Sequence, residues 1–229
     1  MKTTLVERAA ERLKKSILSG VYPPGTRLPP ERELAAEWGV TRGTARSALQ
    51  RLVQSGLVES RQGSGTRVAE YVESSGPELL PGLAQLAEGE NRREMAGDLL
   101  LIRRHLAMAV FERWIAQSPD PQPLQSAIDA FAEAAHSGAD SEVLADADAT
   151  ILEALLRGTS SPTLQLMVNP VRRVLAQMPD LRAAMYRDPI SNVGGWRALC
   201  SVLTAPDGRA TEAVRSLMEA RDAATLDAL

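Results

Sequence analysis

Two arginines, Arg42 and Arg46, stand four residues apart in the segment TRGTARSALQRL. On a helix this spacing places both guanidinium groups on the same side, one turn apart. A guanidinium donates paired hydrogen bonds to phosphate oxygens and to the major-groove edge of guanine, so two of them near a helix start suit contact with DNA. The alternative is that both are ordinary solvated arginines.

The elements that must position these arginines are two short helices joined by a tight turn. Pro30 suits the first position of the first helix, and Gly39 suits its end. Thr41 is a good N-cap for the second helix, which Gly56 ends. The apolar residues on its expected buried side recur at helical spacing. They are Ala45, Ala48, Leu49, Leu52 and Val53.

A glycine-rich turn follows, between two β-prone runs. Leu57 to Arg61 and Thr66 to Val68 predict two strands, and Gln62 to Gly65 predict the turn of a hairpin. Such a turn could also cradle a phosphate, but no Lys-Ser or Lys-Thr pair follows it, and it joins strand to strand. We therefore interpret residues 29–67 as a winged helix, with the hairpin as its wing.

The preceding segment predicts a further helix. Thr4 and Glu7 match a capping box, and apolar residues follow at helical intervals. They are Leu5, Ala9, Leu13 and Ile17. This helix should complete the core beneath the arginine-bearing helix.

The run PPGTRLPPERELAAEWGVTRGTARSALQRLVQSGLVESRQGSGTRV resembles the N-terminal domain of GntR-family bacterial transcription regulators without a gap. Pro30 departs from the small residue that is commoner there, but proline is tolerated at a helix start. The resemblance implies a short strand at Thr26–Leu28 beside the wing, and a homodimer that reads half-sites of a near-palindromic operator. It also implies four DNA-contacting residues: Arg32, Arg42, Arg46 and Gly63. Thr41 and Thr44 at the helix start and Gln62 at the tip of the wing are further candidates by position.

Composition divides the chain into a basic head and an acidic body. Residues 1–70 hold 12 Lys+Arg against 7 Asp+Glu, net +5, so the remainder of the −3 chain carries −8. That asymmetry fits a DNA-binding module joined to one that does not touch DNA. Cys200 is the one cysteine, and the sequence shows neither a signal-peptide pattern nor a membrane-length apolar run. We expect a cytoplasmic protein.

We expect residues 1–70 to form the winged helix, 71–82 a linker rich in Ser, Gly and Pro, and 83–229 an all-helical domain. The breaks in the last region allow about seven helices, without a repeat of fixed period. Two apolar stripes predict core faces there. They are Leu99, Ile102, Leu106 and Val110, then Leu124, Ile128, Phe131 and Ala135.

Polar residues that fall on such faces are the informative ones, because a buried charge is costly unless it is paired. Arg103 and Asp148 are predicted to point inward, and Asp146 outward. The two inward residues either pair with each other or line a ligand site. Asn169 and Pro170 interrupt a further helix. Arg172 nearby faces either a cavity or solvent.

The second region resembles, more loosely, the helical effector domain of the FadR subfamily. The matching runs are DLLLIRRHL, DADATILEALLRGTSSPTL and WRALCSVLTAPDGR. Many members bind a divalent metal through an Asp and three His. Here Asp148 matches the Asp, but Leu152, Trp196 and Ala220 replace the histidines, so we expect no metal and no other cofactor.

The metal-free, acyl-CoA-responsive branch of the subfamily is then the natural comparison. Leu152, Met185 and Trp196 would make the former metal cavity apolar, suiting an acyl or aromatic ligand. Arg103 is the residue best suited to hold a carboxylate or phosphate. The effector-binding residues predicted in this way are Arg103, Asp148, Asn169, Arg172 and Trp196.

The sequence thus predicts a DNA-binding transcription regulator controlled by an acyl-CoA or organic acid. One alternative is an architectural DNA-binding protein with a collapsed pocket and no effector. A second is an enzyme with a DNA-binding head, which the absence of a recognisable acid–base pair, nucleophile motif or cofactor loop disfavours.

Overall fold

The computed structural model describes residues 4–61, 65–206 and 210–229. The chain divides into two compact units, one extending to Leu86 and the other beginning at Ala87. The predicted architecture, a winged helix followed by an all-helical domain, is confirmed.

The first unit begins with three helices and a hairpin. Its elements are α1 (Leu5–Leu18), α2 (Glu31–Trp38), α3 (Arg42–Gln54), β1 (Val58–Arg61) and β2 (Gly65–Val68). The Thr4 and Glu7 capping box is confirmed at the start of α1. Gly39 ends α2 in the left-handed conformation, with φ of 67°, which only glycine adopts readily.

The two strands pair antiparallel, with Val58 opposite Val68. The short strand predicted at Thr26–Leu28 is present as a single bridge to β2, between Arg27 and Arg67. Leu28 N donates to Thr66 O at 2.9 Å, and Val68 N donates to Thr26 O at 2.9 Å. This loop therefore lies against the outer edge of the hairpin.

An aliphatic core holds α3 against α1, α2 and the hairpin. Its buried members are Leu13, Ile17, Leu28, Leu34, Leu49, Leu52, Leu57, Val58, Val68 and Leu79. Val53 was predicted on this buried side, and that prediction is wrong, since the residue is 41% exposed. Leu49 and Leu52 occupy the core-facing arc of α3, and Val53 lies beside the hairpin at the edge of that arc.

The segment after the hairpin belongs to the first unit. It forms α4 (Tyr71–Ser74), a 3-10 turn (Pro77–Leu79) and α5 (Leu80–Leu86). The Ser75 hydroxyl donates to Ser55 O at 3.0 Å, satisfying a carbonyl at the end of α3. Leu79 is buried in the core of the unit. These contacts therefore hold the segment 71–82, whose composition predicts a linker, against the rest of the first unit.

From Ala87 onward, the described ranges contain seven helices, in agreement with the number expected from the breaker residues. They are α6 (Gly89–Gln117), α7 (Gln122–His136), α8 (Ser141–Gly158), α9 (Pro162–Ala176), α10 (Pro179–Met185), α11 (Pro189–Thr204) and α12 (Ala210–Asp227). No described helix is both long and apolar enough to cross a membrane.

The core of the second unit joins α6, α7, α8 and α11. Phe131, Ile151 and Leu155 are each at most 1% exposed in it. Ile102 was predicted on the core face of α6, and that prediction is wrong, since Ile102 is 46% exposed. The buried arc of α6 runs through Leu100 and Trp114 and leaves Ile102 beyond its edge.

The predicted interruption at Asn169 and Pro170 is also wrong, because α9 continues through both residues. Pro170 has no backbone N–H, so α9 loses one hydrogen-bond donor, but the helix does not end at this residue. Val168, Val171 and Val174 are buried on either side of Pro170 and hold the helix against its neighbours.

Candidate functional site

The start of α3 is built by its N-cap. Thr41 has extended backbone angles, and its hydroxyl accepts a hydrogen bond from Thr44 N at 3.1 Å. The Thr41 and Thr44 hydroxyl oxygens are 2.9 Å apart and also share a hydrogen bond. The predicted cap is confirmed, and it sets Arg42 as the first residue of the helix. Both threonine hydroxyls are engaged in shaping this turn.

Arg32, Arg42 and Arg46 are exposed, and none has a carboxylate within ion-pair distance in the described part of the chain. Other arginines of the same unit are paired. Arg12 lies 3.2 Å from Glu37, and Arg51 lies 3.3 Å from Glu7. Unpaired positive charge therefore lies at the starts of α2 and α3, where it can attract phosphate. Gln62 and Gly63 lie outside the described residues.

A groove of about 660 Å³ separates α3 from the hairpin. Arg46, Gln50, Val53 and Gln54 line one side, and Ser60 and Thr66 line the other. Glu31 also lines the groove. Sequence periodicity missed this groove because it placed Val53 in the core.

The second unit contains a cavity of about 680 Å³ between its helices. Its wall combines aliphatic and aromatic side chains with several arginines and carboxylates. All five residues predicted from the sequence line it: Arg103, Asp148, Asn169, Arg172 and Trp196. Leu152 and Met185 line it as well, and these side chains leave the space unfilled. Arg172 is 31% exposed and lies 3.7 Å from Glu153, so it faces the cavity at a partly solvated edge.

Arg103 pairs with a carboxylate that the sequence patterns did not single out. Its Nη2 donates to Asp222 Oδ1 at 2.6 Å, and Arg104 Nη1 donates to Asp222 Oδ2 at 3.0 Å. Asp222 is 4% exposed and anchors α12 to α6. On α12, Asp222 lies two turns after the buried Val214 and one turn after Met218. This apolar stripe at helical spacing is the sequence signal that could have identified Asp222 as an inward-facing residue.

Arg103 and Asp148 therefore do not pair with each other. Asp148 accepts a hydrogen bond from Trp196 Nε1 at 2.7 Å. Burial, with the Asp148 charge as a second cause, raises the pKa of Tyr186 well above its usual range. Burial lowers the pKa of Arg221, which donates to Asn192 at 2.9 Å. Asp148 thus lies among hydrogen-bond donors on one wall of the cavity, while Asp146 is exposed as predicted.

These residues do not fit the divalent metal that the FadR resemblance implies for many members. An indole N–H donates to Asp148, and the leucine at 152 and the alanine at 220 supply no metal-binding atoms. In the described ranges, no group of three or more His, Cys, Asp or Glu side chains lies together in the way a metal ion needs.

The fold and these two sites define a class of protein: a winged-helix DNA-binding domain followed by a helical domain with a ligand-sized cavity. Comparison with known proteins makes the class specific. The family described as "Bacterial regulatory proteins, gntR family" matches residues 5–68. The chain belongs to this GntR family.

Relatives extend the likeness into the second unit. The "Fatty acid metabolism regulator protein" of Salmonella typhi is 32% identical over 164 residues, which cover 72% of this chain and 66% of that protein. The match therefore spans just under two thirds of that relative's length. The protein of the same name from Salmonella paratyphi B is also 32% identical, over 72% of this chain and 66% of that protein.

Among solved structures, the one described as "Lar controls the expression of the Listeria monocytogenes agr system and mediates virulence" has a TM-score of 0.63. It is 16% identical and covers 100% of this chain and 97% of its own. At that identity, the likeness is one of fold.

Proposed function

We propose that this GntR-family protein binds operator DNA and regulates transcription in response to a small molecule. The observation that carries the DNA-binding part is the set of unpaired arginines at the starts of α2 and α3. With Arg42 and Arg46 entering the major groove, the hairpin would lie along the neighbouring backbone. A cytoplasmic location follows from this proposed target, and no catalytic role is proposed.

The protein is proposed to act as a homodimer. Two winged helices related by a two-fold axis would read two half-sites of a near-palindromic operator, and the spacing of the half-sites would reflect the dimer.

The cavity of the second unit is the proposed effector site. Arg103, Asp148, Asn169, Arg172 and Trp196 line it, and Arg103 supplies the guanidinium for an anionic ligand. Its volume of about 680 Å³ lies within the range of small-molecule sites. The relatives named for fatty acid metabolism support an acyl-CoA or another organic acid as the effector. The open cavity favours this proposal over an effector-independent architectural protein.

An effector can change operator affinity only through its preference for one conformation of the dimer over another. Ligand contacts with α6, α8 and α9 would have to differ between a DNA-competent and an incompetent state. The coupling free energy between the effector site and the DNA-binding site sets the size of this change. It is typically 1–3 kcal/mol, or about 5- to 150-fold in operator affinity.

The test begins with native mass spectrometry of the purified full chain, which reports the dimer and any retained small molecule. Operator affinity is then measured by fluorescence anisotropy with and without acyl-CoA and free fatty acid at saturation. We expect a dimer and a change in affinity of at least about fivefold. Unchanged affinity with both ligands bound would refute effector control, and a monomer on DNA would refute the paired half-sites.

A further inference from the structure

The long helix α6 exposes two large aliphatic side chains at its middle. Leu101 and Ile102 are 44% and 46% exposed, whereas the preceding Leu99 and Leu100 are buried. Helices α8, α9, α11 and α12 pack against α6 and leave these two side chains open to solvent. Exposed apolar side chains that lie together are typical of a surface that contacts another protein.

A polar residue flanks this aliphatic pair on each side. Asp98 lies one turn before it and His105 one turn after it, and both are exposed. Residues at i, i+3, i+4 and i+7 share one face of a helix, so all four side chains point the same way. We call Asp98, Leu101, Ile102 and His105 the α6 patch. Its acidic and its imidazole side chain are placed symmetrically about the aliphatic centre.

The polar members of the α6 patch are not paired within the fold. Asp98 has no cation within ion-pair distance among the residues that the structure describes. His105 uses Nδ1 for a hydrogen bond to Leu101 O, at 2.9 Å, which leaves Nε2 for another partner. On the opposite side of the helix, Arg103 is paired with Asp222. Helix α6 thus satisfies its inward charge internally and keeps the groups of the patch available to a partner.

This arrangement is complementary to itself. In a contact across a two-fold axis, if one residue meets a second, then that second residue meets the first on the other side of the axis. When α6 packs antiparallel on its own copy with the axis between Leu101 and Ile102, the aliphatic side chains of both chains meet at the centre. Asp98 of each chain then faces His105 of the other, and the protonated imidazole can donate to the carboxylate.

From this complementarity we infer that the α6 patch is the surface through which the second unit contacts a second copy of this chain. The inference rests on the proposed homodimer and names the contact surface of its second units. DNA is not the partner of this face, because Glu94 and Glu112 join Asp98 on it and would repel phosphate.

The remaining charges of this face favour the same register. With the axis between Leu101 and Ile102, Glu94 lies opposite Ala109, and Glu112 lies opposite Asn91. No two acidic residues of the face meet. If the axis were one turn later along α6, Asp98 would instead face Glu112, and such a juxtaposition of like charges is costly. The charge pattern therefore selects one antiparallel register of α6 on its copy.

The first test is cysteine cross-linking of the full chain with a short bis-maleimide, in the absence of DNA. The test variants are Ile102→Cys and Leu101→Cys, each of which lies beside its own copy at the proposed axis. The control is Ile190→Cys, which replaces an equally large side chain that is 50% exposed on α11. The wild-type chain shows whether Cys200, which is buried, reacts at all. Circular dichroism melts check that each variant folds.

Inside the dimer each thiol meets the other at an effective concentration on the order of 1 mM, so Ile102→Cys should cross-link at least about tenfold faster than Ile190→Cys. Leu101→Cys should behave in the same way. Equal cross-linking rates at positions 102 and 190, or a monomeric wild-type chain in analytical ultracentrifugation, would overturn the inference.

The second test exchanges the charges of the α6 patch and measures the dimer dissociation constant by sedimentation equilibrium. His105→Glu places a carboxylate opposite Asp98 at both ends of the contact and should weaken the dimer by at least about tenfold. Adding Asp98→Lys to the same chain restores opposite charges and should return the constant towards the wild-type value. Gln125→Glu, which adds the same charge at an exposed position of α7, is the control and should leave the dimer unchanged. Equal effects of the two glutamates, or no recovery in the double variant, would contradict the pairing.

These outcomes are separate from those of the proposed function. A dimer that binds operator DNA and responds to an effector, but does not cross-link at Leu101→Cys or Ile102→Cys, would overturn this contact surface alone. Cross-linking at both positions in a chain whose operator affinity no effector changes would refute effector control and leave the contact surface standing.

Discussion

Arg42 illustrates how much depends on a single exposed side chain. It is the first residue of α3, and Thr41 caps the helix immediately before it. If it reads guanine, Arg42→Ala should weaken operator binding by about 1–3 kcal/mol, with a much smaller effect on random DNA. Anisotropy titrations with both DNAs measure the difference.

Arg51→Ala is the matched control, because Arg51 lies on the same helix but is paired with Glu7. It should leave operator affinity near the wild-type value. An equal loss on operator and random DNA for Arg42→Ala would show that Arg42 contacts phosphate only.

Asp222 is the residue on which the wall of the cavity depends most. It is 4% exposed and pairs with two arginines whose side chains are 26% and 17% exposed. Asp222→Ala would leave Arg103 without its carboxylate partner and Arg104 with only Glu219, 3.9 Å from its Nε. Breaking a buried pair in this way costs about 3–5 kcal/mol. Urea or thermal unfolding of the full chain measures the loss.

Asp227→Ala is the control on the same helix. Its carboxylate is 84% exposed and lies 3.8 Å from Arg93, and exposed pairs of this kind contribute about 0–1 kcal/mol. Equal stabilities of the two variants would contradict the assignment of Asp222 as a buried anchor.

At the scale of elements, packing decides whether replacing a helical glycine by alanine stabilises or destabilises the fold. In an isolated helix, alanine is favoured over glycine by about 1 kcal/mol. At Gly158, however, a Cβ would lie 2.7 Å from Cδ1 of Trp114, which is 3% exposed and packed in the core of the unit. Gly158→Ala should therefore destabilise the second unit, because overpacking costs about 1–3 kcal/mol.

Gly97 of α6 provides the opposite case. A Cβ there would meet only Leu226 Cδ1, at 3.9 Å, an ordinary contact. Gly97→Ala should raise the free energy of unfolding by about 0.5–1 kcal/mol, through helix propensity and a less flexible unfolded chain. A melting temperature that moved in the same direction for both variants would show that packing does not decide the sign.

At the scale of the whole molecule, charge is divided between the two ends of the chain. Residues 1–70 carry a net charge of +5 and the remainder −8, so DNA attraction should come from the head alone. If three arginines of each head contact phosphate in a dimer, raising salt from 50 to 200 mM should lower operator affinity by about 10³-fold. A shallow salt dependence would mean that fewer phosphates are contacted.

The sequence by itself determined the features that depend on near neighbours along the chain. The capping box at Thr4, the N-cap at Thr41, the helix end at Gly39 and the hairpin could all be predicted, because each is set by residues within a few positions. The inward direction of Arg103 and Asp148 could also be predicted, since helical periodicity shows which side of a helix faces inward. Trp196 was reached only through the family resemblance.

Only the tertiary structure decided which distant groups meet. Arg103 pairs with Asp222, 119 positions away, and Asp148 pairs with Trp196, 48 positions away. Periodicity misplaced Val53 and Ile102, because whether the edge of an apolar stripe is covered depends on the neighbouring elements. Such contacts depend on the positions of whole helices, which no local pattern along the chain specifies.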